Sequence, residues 1–175
     1  MNTLIKSLNK ILSSASIALM SLLVITVLLQ VFMRYVVNSP VTFTEELSRF
    51  LLIWLGLIAA SYAYRQRMHL ALDLLVVKLK GRKRMTLNII IHSLIGIFSL
   101  TVLIYGGLHL VYLTYILEQF SAALGLSMAI VYLAIPISGI AILIYAIDFI
   151  LQELGMSESN ALSNAALNEK DIHVE

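Results

Sequence analysis

The chain has 175 residues, of which 60% are hydrophobic and 13% are charged, whereas soluble domains carry about 25% charged residues. A water-soluble fold of this size cannot hide so much apolar surface, because a small domain leaves a large fraction of its residues exposed. Cysteine is absent, which excludes disulfides, thiolate metal sites and thiol catalysis. The composition therefore predicts a chain whose main solvent is a lipid bilayer.

Two apolar segments near the N-terminus each predict one membrane-spanning helix. Residues 11–33 are uncharged and would extend over roughly 35 Å as a helix, enough to cross a hydrocarbon core of about 30 Å. The second apolar run is too short by itself, but Pro40 and Thr42 provide a helix start in front of it. A helix over residues 43–64 is therefore expected.

The predicted start of the second helix carries a group of charges. Glu45 and Glu46 lie in its first turn, where the helix dipole favours carboxylates, and Arg49 faces Glu45 at i,i+4. Capping and ion pairing explain all three residues. The alternative is that they form a periplasmic contact surface for another protein.

The connection after the second helix contains an amphipathic segment over residues 69–80. It is apolar for most of its length and ends with Lys78 and Lys80, which predicts a short interfacial helix whose lysines reach anionic phospholipid headgroups. His69 and Asp73 face each other at i,i+4 if the segment is helical. Helix stabilisation is favoured there over a metal site, since one histidine and one carboxylate are too few ligands.

The third apolar run, residues 85–117, is too long for an ordinary bilayer. It would extend over roughly 50 Å as one straight helix. We therefore expect its outer end, which carries Tyr105, Tyr112 and Tyr115, to project into the headgroup region or to pack on another protein.

A fourth helix is expected over residues 127–147, with a kink caused by Pro136. Residues 155–175 are polar and are expected to form a disordered cytoplasmic tail. The four helices and the interfacial segment together predict one transmembrane domain over residues 1–154.

The distribution of basic residues predicts the orientation. All lysines and arginines except Arg34 and Arg49 fall in the N-terminus, in the second connection or in the tail. The positive-inside rule then places both termini in the cytoplasm. The predicted fold is an all-α membrane protein with four transmembrane helices, a short cytoplasmic interfacial helix and both termini inside.

The predicted helices lack the features of an autonomous small carrier. No carboxylate or basic side chain is expected at membrane depth, and no two helices share an interruption indicative of inverted repeats. Gly56 with Ala60 allows close helix packing, either inside the chain or on a partner. A subunit without catalytic or transport machinery of its own is therefore favoured over an autonomous carrier.

His92 and His109 raise the alternative of a haem-bearing membrane anchor subunit of a redox complex. Both lie on the third helix, roughly 25 Å apart, and the other three predicted helices contain no histidine. Bis-histidine ligation would need ligands from another chain. Interhelical hydrogen bonding is the expected role of both histidines.

Four short motifs occur in a particular order along the chain. They are Arg34-Tyr35 at the end of the first helix, Glu45-Glu46 at the start of the second, Trp54-Leu55-Gly56 within it, and His69 with Asp73 after it. Together they resemble the small membrane subunit of tripartite ATP-independent periplasmic (TRAP) transporters, and the resemblance covers about Lys10 to Leu154. Phe43 departs from the family pattern, in which tryptophan often precedes the acidic pair.

The resemblance implies a bacterial inner-membrane system that takes up an organic acid, of the sialic acid or C4-dicarboxylate type, together with sodium. A soluble periplasmic binding protein would capture the acid and a large membrane subunit would carry it. The small subunit would be a non-catalytic scaffold with no cofactor of its own, sodium being bound by the large subunit. No nucleic-acid partner is expected.

The candidate site residues form two groups. The candidates for partner contact are Arg34, Glu45, Glu46, Arg49, Tyr112, Tyr115 and Glu118. The candidates for the cytoplasmic membrane interface are His69, Asp73, Lys78, Lys80, Arg82, Lys83 and Arg84.

Overall fold

The structure is a computed structural model that describes the backbone of residues 2–37, 42–66 and 82–172, and the side chains within 4–37, 42–66 and 85–155. Its elements are α1 (Asn2–Tyr35), α2 (Thr42–Arg65), α3 (Arg82–Phe98), a π-helical stretch (Ser99–Gly106), α4 (Gly107–Ile116), α5 (Met128–Tyr132) and α6 (Ala134–Ile172). The described residues contain no β-strand, and one isolated bridge joins Phe120 to Ser127.

Four helical segments are long and apolar enough to cross a membrane: Leu4–Tyr35, Thr42–Arg65, Met85–Ile116 and Met128–Gly155. They confirm the predicted all-α fold with four spans. The first helix begins before the predicted start at residue 11 and includes Lys6 and Lys10, because lysine is a good helix former and does not end a helix.

The predicted interfacial segment 69–80 lies outside the described residues, and so do His69, Asp73, Lys78 and Lys80. Arg82, Lys83 and Arg84 belong to the first turn of α3, but their side chains are not among those described. The expectations for this connection stay predictions.

The spans are arranged as an open layer in the order α1, α2, α6, α3. Among the described residues, α1 packs on α2, α2 packs on α6, and α6 packs on α3 and the π-helical stretch, with no comparable contact between α1 and either α3 or α6. In the most apolar part of each span, the share of residues buried inside the protein is 6% for the first span and 11% for the third, against 28% for the second and 44% for the fourth. The first and third spans are therefore the edges of the layer.

Two glycines bring the third span close to α6. A Cβ atom on Gly139 would lie 2.8 Å from Leu103 Cβ and 3.0 Å from Ile104 Cγ1, and one on Gly107 would lie 2.9 Å from Ile135 Cγ2. Small residues permit such close backbone approach between membrane helices.

Gly56, by contrast, has open space around it. No atom lies within 4 Å of the position that a Cβ atom on Gly56 would take, and Gly56 and Ala60 are both exposed on α2. The pair is therefore not used for packing inside the described part of the chain.

The fourth span is interrupted near its start. α5 ends at Tyr132 and α6 begins at Ala134, two residues before Pro136. Pro136 has no N–H to donate to the carbonyl of Tyr132, and its ring clashes with that group. The kink predicted from Pro136 therefore takes the form of a helix break at Leu133.

The backbone of α6 continues as a helix to Ile172, where the sequence predicts a disordered tail from residue 155. No proline follows, and no glycine follows Gly155, so no strong helix breaker ends the helix at the predicted boundary. The domain boundary at residue 154 stays a prediction.

Candidate functional site

A buried ion pair joins α2 to α6. Arg65 Nη1 donates to Asp148 Oδ2 at 2.8 Å, and the side chains are 24% and 4% exposed, respectively. Gln152 Nε2 donates to the same carboxylate oxygen at 2.6 Å, and the Arg65 guanidinium lies 5.1 Å above the ring of Phe149. Asp148 is thus a carboxylate held in the interior by two donors.

This ion pair corrects the expectation that the spans contain no carboxylate or basic side chain at membrane depth, because Arg65 and Asp148 both belong to spans of the structure. The predicted fourth helix ends at residue 147, which leaves Asp148 just beyond it. The apolar pattern resumes at Phe149 and continues to Leu154, so Asp148 lies within the span Met128–Gly155. A single charge inside an apolar helix indicates a partner elsewhere in the protein, and this signal could have found the pair.

His92 connects α2 to α3 beside the ion pair. Its Nδ1 lies 2.8 Å from the hydroxyl of Tyr64, and its ring stacks on Phe149 with centroids 4.8 Å apart. The structure therefore contains the predicted interhelical hydrogen bond of His92. One turn away, Asn88 Nδ2 donates to Glu153 Oε1 at 2.8 Å and joins α3 to α6.

Histidine ligands for a cofactor are not brought together. His109 is exposed on α4, far along the third span from His92, and no described residue forms a hydrogen bond with it. Within the described ranges, no three residues of the histidine, cysteine, aspartate or glutamate type are close enough to hold a metal ion.

Glu46 holds the loop between α4 and α5. Its Oε2 accepts hydrogen bonds from the backbone N–H groups of Ala123, at 2.8 Å, and Leu124, at 3.1 Å. Hydrogen bonds to a charged acceptor are stronger than neutral ones. Besides its place in the first turn of α2, Glu46 therefore fixes a segment 77 residues away.

The loop itself is closed by backbone hydrogen bonds. Ser121 N–H donates to Leu126 O at 2.9 Å, and Gly125 N–H donates to Ser121 O at 3.0 Å. Gly125 has a φ of 62°, a conformation that glycine adopts without steric cost. We call residues 117–127 the return loop. Its exposed apolar side chains include Phe120 and Leu126.

The other predicted contact residues at this end of the layer are exposed. Glu45 and Arg49 pair at 3.7 Å, with side chains 63% and 68% exposed, so the predicted i,i+4 pair is present but is worth only about 0–1 kcal/mol. Arg34 lies over the ring of Tyr35 at 5.8 Å. Tyr112 and Tyr115 are exposed on α4.

Glu118 is also exposed and lies at the beginning of the return loop with a φ of 47°. The structure thus brings Glu46 to the return loop, whereas the side chains of the other six candidates are exposed: Arg34, Glu45, Arg49, Tyr112, Tyr115 and Glu118. Their role in partner contact stays a prediction.

Comparison with known proteins agrees with the architecture. The family model for the DctQ component of tripartite ATP-independent periplasmic transporters matches residues 23–155. A TRAP transporter small permease protein of Haemophilus influenzae is 39% identical over 79 residues, which cover 45% of this chain and 49% of that protein. A second such protein of the same organism is 27% identical over 136 residues, which cover 78% of this chain and 81% of that protein.

The first of these alignments spans about half of the relative's length, but the family match extends over most of the chain, from within the first span to the end of the fourth. It confirms the family that the motifs at Arg34-Tyr35 and Glu45-Glu46 indicate. This multi-pass membrane protein belongs to the DctQ component family of tripartite ATP-independent periplasmic transporters.

Proposed function

We propose that this chain is the non-catalytic small membrane subunit of a sodium-driven TRAP transporter, and that it widens and anchors the fixed frame of a large membrane subunit that carries an organic acid. The open layer of helices is the observation that supports this role. A single layer leaves two broad apolar faces and two edge helices uncovered, so the chain offers extensive surface to lipid and to another membrane protein.

The charged groups support a structural role. Asp148, the most buried carboxylate among the described residues, is neutralised by Arg65 and hydrogen-bonded by Gln152. A carrier needs a charged or polar group that can exchange partners with its cargo, whereas this carboxylate already has its partners inside the chain. These contacts hold α2 against α6, as expected for a subunit with a structural role.

The orientation of this frame follows from charge. With both termini in the cytoplasm of the bacterial inner membrane, the Arg65 end of the layer faces the cytoplasm and the return loop faces the periplasm. The exposed residues around the return loop would then meet the periplasmic binding protein, and the basic second connection would meet phospholipid headgroups. Reporter fusions at both termini and in the return loop test this topology. Activity of a periplasm-dependent reporter at either terminus would overturn it.

The experiment that tests the function is reconstitution. The chain co-expressed with the large membrane subunit of its own transporter is expected to co-purify with it. Uptake of labelled sialic acid or succinate into liposomes is expected to need both chains, the binding protein and a sodium gradient. Uptake by this chain alone would contradict the scaffold role. A haem absorption band in the purified chain would favour a redox anchor instead.

A further inference from the structure

One face of the third span carries exposed side chains that can form hydrogen bonds. Tyr105 and Tyr112 are 76% and 64% exposed, and His109 between them is exposed as well. At 100° per residue, His109 and Tyr112 lie on the side of α4 opposite Gly107, the residue that packs on α6. Tyr105 belongs to the π-helical stretch, and its exposure shows that it also faces outward. We call Tyr105, His109 and Tyr112 the polar face.

The depth of this face follows from how the helices are paired. Gly139 packs on Leu103 and Ile104, and it lies roughly 16 Å along the helix axis from Met128 and about 14 Å from Asp148. The neighbouring Tyr105 is therefore near the middle of the fourth span. His109 is two residues beyond Gly107, which packs on Ile135. Measured along the helix axis, His109 therefore lies roughly 8 Å from the level of Met128, where the fourth span begins.

Lipid tails do not suit a face of this chemistry at this depth. Phenol side chains in membrane proteins favour the interface, where the hydroxyl reaches water, and a histidine within a span almost always faces the interior of a bundle. None of the three side chains is hydrogen-bonded by a described residue. An outward-facing imidazole and a mid-depth phenol therefore indicate that a second protein completes the interior here.

The π-helical stretch Ser99–Gly106 directs the face. Ser99 Oγ donates to Gly139 O at 2.7 Å, which fixes the start of the stretch against α6, and the contact of Gly107 with Ile135 fixes its end. A π-helical turn holds more residues than an α-helical turn, so it rotates the helix that comes after it, and such turns are frequent at functional sites. The two anchors keep the polar face turned outward.

We propose that the polar face is the seat of a membrane helix of the large subunit, and that this helix presents hydrogen-bonding side chains or free backbone carbonyls opposite Tyr105 and His109. This inference rests on the proposed function and adds the contact surface and the chemistry of the partner to it.

The test uses the complex of this chain with the large subunit. p-Benzoylphenylalanine in place of Tyr105 is expected to give a covalent adduct with the large subunit on irradiation in membranes. The double variant Tyr105→Phe with His109→Leu removes two hydrogen bonds and is expected to weaken the complex about ninefold, since each hydrogen bond between membrane helices is worth about threefold in affinity. Tyr62→Phe removes a hydroxyl that is already hydrogen-bonded within the chain by Gln66 Nε2 at 3.0 Å, and is the matched control that should leave affinity unchanged.

The outcomes distinguish this inference from the proposed function. Because both side chains point away from the chain, the double variant should leave the melting temperature of the isolated subunit unchanged, so weaker binding reports on the contact and not on folding. Three results would overturn this inference alone, provided that the wild-type complex forms: no adduct from position 105, an adduct only to lipid or to a second copy of this chain, or full affinity in the double variant. Failure of the wild-type chains to associate would overturn the proposed function as well.

Discussion

Replacing Arg65 by leucine is expected to destabilise the isolated subunit by about 3–5 kcal/mol, because the change leaves the carboxylate of Asp148 buried without its ionic partner. The Asp148 side chain is only 4% exposed, and Gln152 supplies just one neutral donor. The substitution also removes the guanidinium from its place 5.1 Å above Phe149.

The converse change is expected to cost less. Asp148→Leu leaves a guanidinium that is 24% exposed at the end of α2, where a long side chain can move its charge toward headgroups and water. We expect a loss of roughly 1–2 kcal/mol, within the usual range for a single substitution. The double variant should be more stable than Arg65→Leu alone by roughly 3–4 kcal/mol, since an apolar pair often replaces a buried ion pair without loss.

Trp54, the single tryptophan, provides the assay. It packs against the core cluster that contains Tyr145 and Phe149, so its fluorescence should follow unfolding of the subunit in mixed micelles of mild and denaturing detergent. The wild-type chain and the three variants form a double-mutant cycle that isolates the pair. Equal losses for the two single variants, together with additivity in the double variant, would refute the asymmetry argued from burial.

Three further predictions concern separate contacts. Glu46→Ala is expected to speed hydrogen exchange of the Ala123 and Leu124 amides, because both amides lose the carboxylate oxygen that accepts their hydrogen bonds, and it is expected to impair uptake. Glu45→Ala is the neighbouring control, and equal exchange rates in both variants would contradict the role of Glu46. Gly139→Ala should reduce the free energy of unfolding by about 1–3 kcal/mol, because its methyl group would overpack against Leu103. Gly56→Ala has open space around its Cβ and should be neutral or stabilise α2 by up to about 1 kcal/mol. Detergent unfolding of both variants measures the difference, and an equal response would argue against the close contact at Gly139. Tyr64→Phe should reduce the free energy of unfolding by about 1 kcal/mol, because it removes the hydrogen bond to His92. The same detergent assay measures this loss. Tyr62→Phe is the control and should reduce stability less, because the Tyr62 hydroxyl accepts an exposed hydrogen bond from Gln66.

The helical spans were predictable because each depends on local composition. An uninterrupted apolar run of about 20 residues forms a helix in a bilayer whatever its neighbours are, since its backbone groups must be satisfied within the segment. Residues 43–64 and 85–117 therefore appear at nearly the predicted positions. The π-helical stretch was not predictable in this way, because Ser99 and Gly107 have their anchoring contacts on α6.

The candidate contact residues also differ in whether their contacts are local in the sequence or depend on the tertiary structure. The i,i+4 pair of Glu45 with Arg49 is visible in the sequence because both partners lie on one helix turn. The role of Glu46 is not visible there, because its acceptor oxygen meets the return loop, and no residue near Glu46 in the sequence indicates that contact. Spacing on one helix also could not tell that His92 points inward and His109 outward.

The amino-acid sequence by itself determined the all-α membrane character, the four spans and the family, because apolar run length and short ordered motifs are local properties. Only the tertiary structure decided the order of the helices in the layer, the burial of Asp148 against Arg65, and the outward direction of Tyr105 and His109. Asp148 and Arg65 are 83 residues apart. Such a pair forms through the way α2 and α6 rotate and cross, and that geometry depends on close contacts between these two helices, such as the hydrogen bond that Ser61 Oγ donates to Ser138 O at 3.2 Å.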